Sequence, residues 1–279
     1  MLKEGVAPLD STPLVSIIIP AHNEEKALPR LLDSIISQTY PHLQIILVDD
    51  GSTDETLTVA RRYAEKDDRI TVLTKPCGGV SSARNEGLPL CRGKYIRFAD
   101  SDDSLPPDSV ALLVARAEAD GADLVISAYT EYIGEYPRFK NLVNRTDTLS
   151  NHEALDIIDR RSNSYFYGVL WNKLFVREKI GGLCFDEHLT WGEDFSFVMS
   201  YLKSAETIAY MTDSVYDYRR TPTSATFRQA LDSVLHPIKN IRIKLLLYRV
   251  LKDLYVTRGE YPAHRRTLWI YIFRFGMDM

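Results

Sequence analysis

Carboxylates gathered into short clusters are where this chain could do chemistry. Asp100-Ser101-Asp102-Asp103 is the densest, and Asp49-Asp50-Gly51-Ser52-Thr53-Asp54 and Pro20-Ala21-His22-Asn23-Glu24 are two further polar corners. Like charges on one edge repel unless a cation neutralises them, and hard divalent cations prefer carboxylate oxygens, with water and phosphate completing the shell. The 100–103 cluster therefore reads as a metal site. A cation held by only one or two carboxylates also calls for a phosphate-bearing ligand, which points to a nucleotide. Asp and Ser are also common strand-to-helix caps, and Ser52 or Thr53 would serve in that way. One such corner decides nothing, whereas three together favour a binding rim.

The corners form a rim only if parallel strands deliver them to the same edge. Residues 14–20 (LVSIIIP) are a continuous apolar run, rich in β-branched residues and stopped by Pro, as in a strand buried on both faces. Leu28, Leu31, Leu32, Ile35 and Ile36 then recur at helical spacing until Gln38, and Pro41 marks the exit. The unit repeats, with strands predicted at 43–48, 70–73, 95–99 and 123–132 and helices at 53–64, 80–88 and 107–119. Such alternation requires crossover connections and predicts an α/β fold with a mainly parallel central sheet flanked by helices. Ligands then bind outside the carboxyl ends of the strands, where all three corners fall. Beyond Ile133 the pattern loosens into a polar loop at 134–147, helices at 151–158 and 194–202, and strand-like runs at 171–176, 207–211 and 215–219.

Taken in order, VSIIIPAHNEE, IILVDDGSTDET, GGVSSARNEG and GKYIRFADSDDSLPP resemble the family 2 glycosyltransferases, closely over residues 13–130 and, through WGEDFSF, as far as about residue 225. The resemblance implies an inverting enzyme of the GT-A fold, a Rossmann-like nucleotide-diphospho-sugar transferase fold. Its catalytic domain would occupy 1–227, with a nucleotide-binding part at 13–130 and an acceptor part at 131–227. Pro20, Ala21 and Glu24 would line the nucleotide pocket, Asp50 would hydrogen-bond the base, and Asp49 would support that turn. His22 stands where the family often has Tyr and reads as a loop residue. Arg84 and Asn85 would sit near the nucleotide or diphosphate, the alternative for Arg84 being a pairing with the acidic rim. Asp100 and Ser101 would face the ribose, Asp102 would ligate Mg²⁺ or Mn²⁺ directly, and Asp103 would support the loop.

Sugar transfer needs a stabilised leaving diphosphate, a task for the divalent cation as Lewis acid. It also needs a carboxylate on the opposite face of the sugar to deprotonate the acceptor. Glu193-Asp194 matches the family's base motif, which makes Asp194 the candidate base; its alternative is an N-cap for the helix that follows. Trp171 and Trp191 would stack on acceptor sugars or belong to the core. Lys173 and Arg219 would approach the diphosphate or an anionic acceptor, or stay solvated. Trp171-Asn172-Lys173, Tyr218-Arg219-Arg220 and Ser224 look like segments of bacterial polysaccharide-type members.

Composition limits the partners. The 279 residues are 45% apolar and carry a net charge of -4, which supports a sizeable core and speaks against nucleic-acid binding. Residues 228–279 nevertheless hold ten Lys and Arg against four acids, a basic C-terminal extension on an acidic body. Over 238–256 apolar residues interleave with Lys239, Arg242, Lys244, Arg249 and Lys252, the pattern of a basic amphipathic helix. That helix would lie on an anionic membrane surface, anchored by Trp269, Tyr271, Phe273 and Phe275, or pack on the catalytic body or on a second copy in a homodimer. Cys77, Cys91 and Cys184 include no CxxC pair, residues 1–13 have no apolar leader, and no apolar run reaches eighteen residues. The expected setting is the cytoplasm, with peripheral contact at the inner face of the membrane. There the chain would move a sugar from a nucleoside diphosphate, UDP by resemblance, to a glycan or lipid-linked saccharide in polysaccharide or cell-envelope synthesis. A sugar nucleotidyltransferase would need a glycine-rich basic loop where this chain has PAHNEE. A non-catalytic sugar-nucleotide or glycan-binding module would not need Asp102 and Asp194.

Overall fold

In the computed structural model the described residues are 12–141, 143, 145–160, 165–220 and 237–274, with side chains described for all of these except 160, 165, 237–239 and 269–274. The continuous apolar runs become interior strands. β1 (Val15–Ala21) and β2 (Leu43–Asp49) are buried at every residue, which is why neither sequence alternates. They pair in parallel with each other, with β3 (Ile70–Thr74) outside β2 and β4 (Tyr95–Phe98) on the other side of β1. Helices α1 (Leu28–Ile36), α2 (Thr56–Ala64) and α3 (Val80–Gly87) make the crossovers. α1 buries Leu28, Leu31, Leu32 and Ile35, the stripe its spacing predicts.

The second half continues through α4 (Ser109–Asp120), β5 (Leu124–Ile133), β6 (Tyr136–Lys140), β7 (Asp147–Ser150), α5 (Asn151–Arg160) and α6 (Tyr165–Gly168). β8 (Lys173–Val176), α7 (Arg177–Ile180), α8 (Glu193–Tyr201), β9 (Thr207–Arg220), α9 (Pro237–Thr257) and α10 (Tyr261–Arg274) follow. One sheet runs in the order β3-β2-β1-β4-β8-β5-β9-β7, with β6 attached to β5. Parallel pairing holds from β3 to β4 and again between β5 and β9. β8 enters between β4 and β5 antiparallel to both, and β6 and β7 are antiparallel to their neighbours, so the whole sheet is mixed. The 134–147 segment is not all loop: it contains β6, whose first four residues are exposed and so leave no burial pattern to read. The two runs at 207–219 are one strand, β9, with register shifts against β5 near Ala128.

The basic C-terminal segment packs on the catalytic body. Leu247, Leu251, Leu254 and Tyr255 of α9 are fully buried, each contributing about 1.5–3 kcal/mol of transfer free energy before ordering entropy is subtracted. Tyr255 Oη donates to the Leu155 carbonyl at 2.7 Å, and Arg258 Nη2 donates to the Leu202 carbonyl at 3.0 Å, closing the end of α8. Ile241, Leu245 and Val256 remain exposed on the outer face. No described helix is long and apolar enough to cross a membrane. Ser224 and Phe275, and the side chains of Trp269, Tyr271 and Phe273, lie outside the described residues.

Candidate active site

β1 and β2 end side by side, and the Asp50 amide donates to the Ala21 carbonyl at 2.8 Å. Pro20 and Ala21 are therefore buried wall, while the loop after them is fastened to the loop after β2. Asn23 takes φ 56°, a conformation Asn tolerates, and its Oδ1 accepts from the Thr53 amide at 2.8 Å. The Glu24 amide donates to Thr56 Oγ1 at 2.7 Å. Ser52 and Thr53 thus staple the first loop and do not cap α2, which begins at Thr56.

Asp49, at the end of β2, is 1% exposed and accepts from Thr74 Oγ1 of β3 at 3.1 Å. Asp50 Oδ1 accepts from Lys75 Nζ at 3.0 Å and the Gly78 amide at 2.9 Å, and Oδ2 from the Gly79 amide at 2.7 Å. Burial by itself would raise its pKa; the Lys75 bond and the two amides outweigh that and hold the carboxyl below its usual range. The close approach of residues 75–79 requires Gly51, because a Cβ there would lie 2.6 Å from the Cys77 nitrogen, and its φ is 67°.

Across β1, the β4 corner forms around one guanidinium. Arg84 of α3, 3% exposed, donates from Nη1 to Asp194 Oδ1 at 2.6 Å and from Nη2 to Asp100 Oδ1 at 3.2 Å, with Glu193 Oε1 at 3.5 Å from Nη1. Its underside rests 5.3 Å from the Phe185 ring centroid. Burial lowers the Arg84 pKa, but the charges of Asp194, Asp100 and Glu193 more than reverse that, so the guanidinium stays charged. Asp194 is driven well above the ordinary carboxylate range by burial and by Glu193 and Asp100, and Arg84 offsets only part of this. The cap alternative for Asp194 fails: Gly192 is the N-cap of α8, no side chain bonds to that end, and Asp194 lies in the first turn.

Asp102 stands beside Asp100, and burial followed by the Asp100 charge pushes its carboxyl up to about 6. Two neighbouring carboxylates are a donor set whose mutual repulsion a hard divalent cation would relieve, so Asp102 with Asp100 fits one. Asp103 points the other way, fully buried, and accepts from Tyr216 Oη at 2.8 Å and the Arg219 amide at 2.7 Å. It supports the loop, as expected. Tyr216 Oη also accepts from the Asp100 amide at 3.0 Å, and Ser104 bridges to Asp217, so β9 holds the acidic corner from beneath. Arg30 Nη2 donates to the Asp102 carbonyl, fixing the same turn from α1.

Residues 16–180 match the family model described as Glycosyl transferase family 2. The chain belongs to this family. The uncharacterized glycosyltransferase EpsJ of Bacillus subtilis (strain 168) is 32% identical over 273 residues, which cover 96% of this chain and 77% of EpsJ. Among solved structures, S. aureus TarS 1-349 in complex with UDP-GlcNAc superposes with a TM-score of 0.72 at 20% identity, covering 94% of this chain and 72% of that one. The mannosyltransferase PcManGT from Pyrobaculum calidifontis, in complex with GDP-Man and Mn²⁺, gives a TM-score of 0.58 at 19% identity, covering 94% and 85%. The fold is that of the GT-A glycosyltransferases, and the protein is an enzyme of the glycosyltransferase class.

In this glycosyltransferase several other side chains lie away from the rim. Asn85 donates to the Phe185 carbonyl and to Glu187 Oε1, both at 3.0 Å, and accepts from the Phe185 amide at 2.8 Å, so it fastens the 185–187 segment to α3. Trp171 is core: it is 1% exposed and lies between Tyr216 and Tyr218, stacked at 4.6 and 5.4 Å. Lys173 is neither solvated nor at a diphosphate; it is fully buried and donates to the carbonyls of Phe166 and Val169 and to Asn172 Oδ1. The Arg219 guanidinium lies 4.8 Å from the Tyr132 ring centroid. Trp191 is 6% exposed, and its Nε1 donates to Asn240 Oδ1 of α9 at 2.8 Å. A Cβ on Gly192, at φ 77°, would meet Leu247 Cδ1 at 2.5 Å, so α9 lies directly against the turn that presents Glu193 and Asp194. Sequence reasoning missed Tyr216, Phe185 and Asn240. A polar residue inside the otherwise apolar face of α9 was the available sign for Asn240.

Proposed function

We propose that this glycosyltransferase moves a sugar, with inversion, from a uridine diphosphate donor to a hydroxyl of a glycan or lipid-linked saccharide in polysaccharide or cell-envelope synthesis. One observation carries the reading: buried Arg84 joins Asp194, at 2.6 Å, to Asp100, at 3.2 Å, so the candidate base and the cation-binding corner flank a single guanidinium. The donor occupies the 13–130 part, between the walls Pro20, Ala21 and Glu24, with Asp50 toward the base and Asp100 and Ser101 toward the ribose. The acceptor enters from the 131–227 part. That TarS holds UDP-GlcNAc and PcManGT holds GDP-Man with Mn²⁺ supports a diphosphate donor and a divalent ion here.

Asp194 takes the proton of the acceptor hydroxyl while that oxygen bonds to the anomeric carbon. The bond from the same carbon to the diphosphate oxygen breaks, and its electron pair leaves with the nucleoside diphosphate. Attack from the face opposite the leaving group inverts the configuration. Asp194's upward-shifted pKa makes it a stronger base than an ordinary carboxylate, and Arg84 beside it favours the ionised form. Mg²⁺ or Mn²⁺, held by Asp102 with Asp100 beside it, would supply Lewis-acid stabilisation of the diphosphate. The outer face of α9, with Ile241 and Leu245 exposed next to Arg242 and Arg249, is the surface that would rest on an anionic leaflet beside a lipid-linked acceptor.

Thermal unfolding with UDP, GDP, CDP or dTDP, each with and without Mn²⁺, tests the reading. A ligand at a hundredfold excess over its Kd adds about 2.7 kcal/mol of stability, and roughly 2–4 °C per kcal/mol is expected at this chain length. UDP with Mn²⁺ should raise the Tm, and Asp102→Ala should abolish the metal-dependent part. A folded wild type that no nucleotide stabilises under either condition would remove the transferase assignment of this rim.

A further inference from the structure

A different donor set lies at the carboxyl end of β2, across β1 from the Asp102 corner. His22, Asp50 and Cys77 each offer one ligand atom, and these atoms lie within 4.8 Å of one another. Imidazole nitrogen, thiol sulfur and carboxylate oxygen differ in kind from the all-oxygen Asp100 and Asp102 pair; they are the donors Zn²⁺ takes in three-ligand sites. We propose that His22, Asp50 and Cys77 bind Zn²⁺, and that an ion there excludes the nucleotide base from the pocket.

The spacing suits the ion. Cys77 Sγ lies 3.7 Å from Asp50 Oδ2. Bonds of about 2.3 Å to sulfur and about 2.0 Å to oxygen at a tetrahedral angle put those two atoms about 3.5 Å apart. Asp50 is 3% exposed and anchored, with Oδ1 committed to Lys75 and Gly78, and Oδ2 to Gly79. An ion would replace the thiol proton on Oδ2 without disturbing the Lys75 pair. His22 Nδ1 donates to the Asp50 carbonyl at 2.8 Å, and Nε2 accepts from Asn23 Nδ2 at 3.1 Å, an exposed bond that an ion on Nε2 would replace. A backbone carbonyl on one ring nitrogen is the usual means of orienting a metal-binding imidazole. The exposure of His22 and Cys77 gives the ion an entry path and leaves its fourth position to water.

Binding is a simple exchange: the Cys77 S–H bond breaks, the proton goes to solvent, and a sulfur–metal bond forms with no change of oxidation state. The released proton means tighter binding at higher pH. Lys75 opposes a cation, and the new thiolate offsets it. The two divalent chemistries would then act in opposition, a hard ion at Asp102 serving the reaction and a thiophilic ion at Cys77 blocking the base. This blocking role rests on the reading of Asp50 as the base contact; the metal site itself does not.

The test titrates the reduced 279-residue chain with Co²⁺, whose thiolate charge-transfer absorption is silent for an oxygen-only site. One equivalent should give the band, and Zn²⁺ should displace it. Cys77→Ser should abolish it, His22→Tyr should weaken binding about tenfold or more, and Cys184→Ser should leave it intact. Saturating UDP should raise the apparent Co²⁺ dissociation constant. Absence of the band, or its survival in Cys77→Ser, overturns the site. A band indifferent to a concentration of UDP that raises the Tm overturns the exclusion of the base. Normal Co²⁺ binding in a protein that UDP never stabilises supports the site and counts instead against the UDP reading.

Discussion

Arg84→Gln removes the cation that touches all three carboxylates while keeping much of the side chain's volume. In the wild type, Asp194 already sits above the ordinary range because burial, Glu193 and Asp100 outweigh Arg84. An opposite charge in contact holds a carboxyl down, so removing Arg84 moves Asp194, which is 22% exposed, further upward. A base works only when ionised, so the acid limb of kcat/KM should move to higher pH, with the rate below it falling about tenfold per pH unit. Stability should respond too. A carboxyl whose folded pKa is raised stabilises the fold below its unfolded value, and that contribution is lost as pH rises through the raised value. The variant's stability deficit should therefore be small near pH 4 and widen toward pH 8, to about 1–3 kcal/mol once the partial exposure of Asp100 and Asp194 is allowed for. UDP release by wild type, Arg84→Gln and Asp194→Asn, measured across pH, is the assay. A folded Arg84→Gln with an unmoved acid limb, or an Asp194→Asn that still turns over, refutes the assignment of Asp194 as the base.

Three further substitutions probe the supports. Asn240→Ala removes the acceptor of Trp191 Nε1, and it should lower kcat while leaving the UDP-induced Tm shift unchanged, because α9 touches the turn before Asp194 and not the donor rim. Tyr216→Phe deletes the hydroxyl shared by Asp103 and the Asp100 amide, and chemical denaturation should show a loss of about 1–3 kcal/mol that grows with pH, since the Asp103 carboxyl is already raised by burial and by Asp102. Arg97 is fully buried, donates to Ser109 Oγ and the Val215 carbonyl, and is pushed down to about 9 by burial. Arg97→Met should consequently melt no lower than wild type at pH 7.

The first half of the fold was legible because its strands are short, continuous and buried on both faces. Runs such as VSIIIPA and LQIILVD have no other comfortable place, and the polar corners follow them directly. The acidic rim and Asp194 were found through motif order, and geometry then separated their roles, sending Asp103 toward Tyr216 and Arg84 between two carboxylates. Mixed pairing was not legible. β8 is four residues long, and nothing local says that it inserts between β4 and β5. Lys173 misleads because composition treats a cation as solvated, whereas the carbonyls of Phe166 and Val169, only seven and four residues back, satisfy it in the interior. Trp171 needed two tyrosines that lie more than forty residues downstream.

The grip of β9 on the 100–104 turn bears on how such an enzyme can be recombined. A chimera cut near residue 130 would carry every signature of the first half intact, yet Asp103 would lose Tyr216 and the Arg219 amide, and Ser104 would lose Asp217. Grafting a foreign second half therefore exchanges the underside of the donor corner along with the acceptor surface. Substitutions in the exposed 133–139 segment leave the contacts of β9 with the 100–104 turn in place, whereas shuffling halves does not, because the seam between the halves runs beneath that turn.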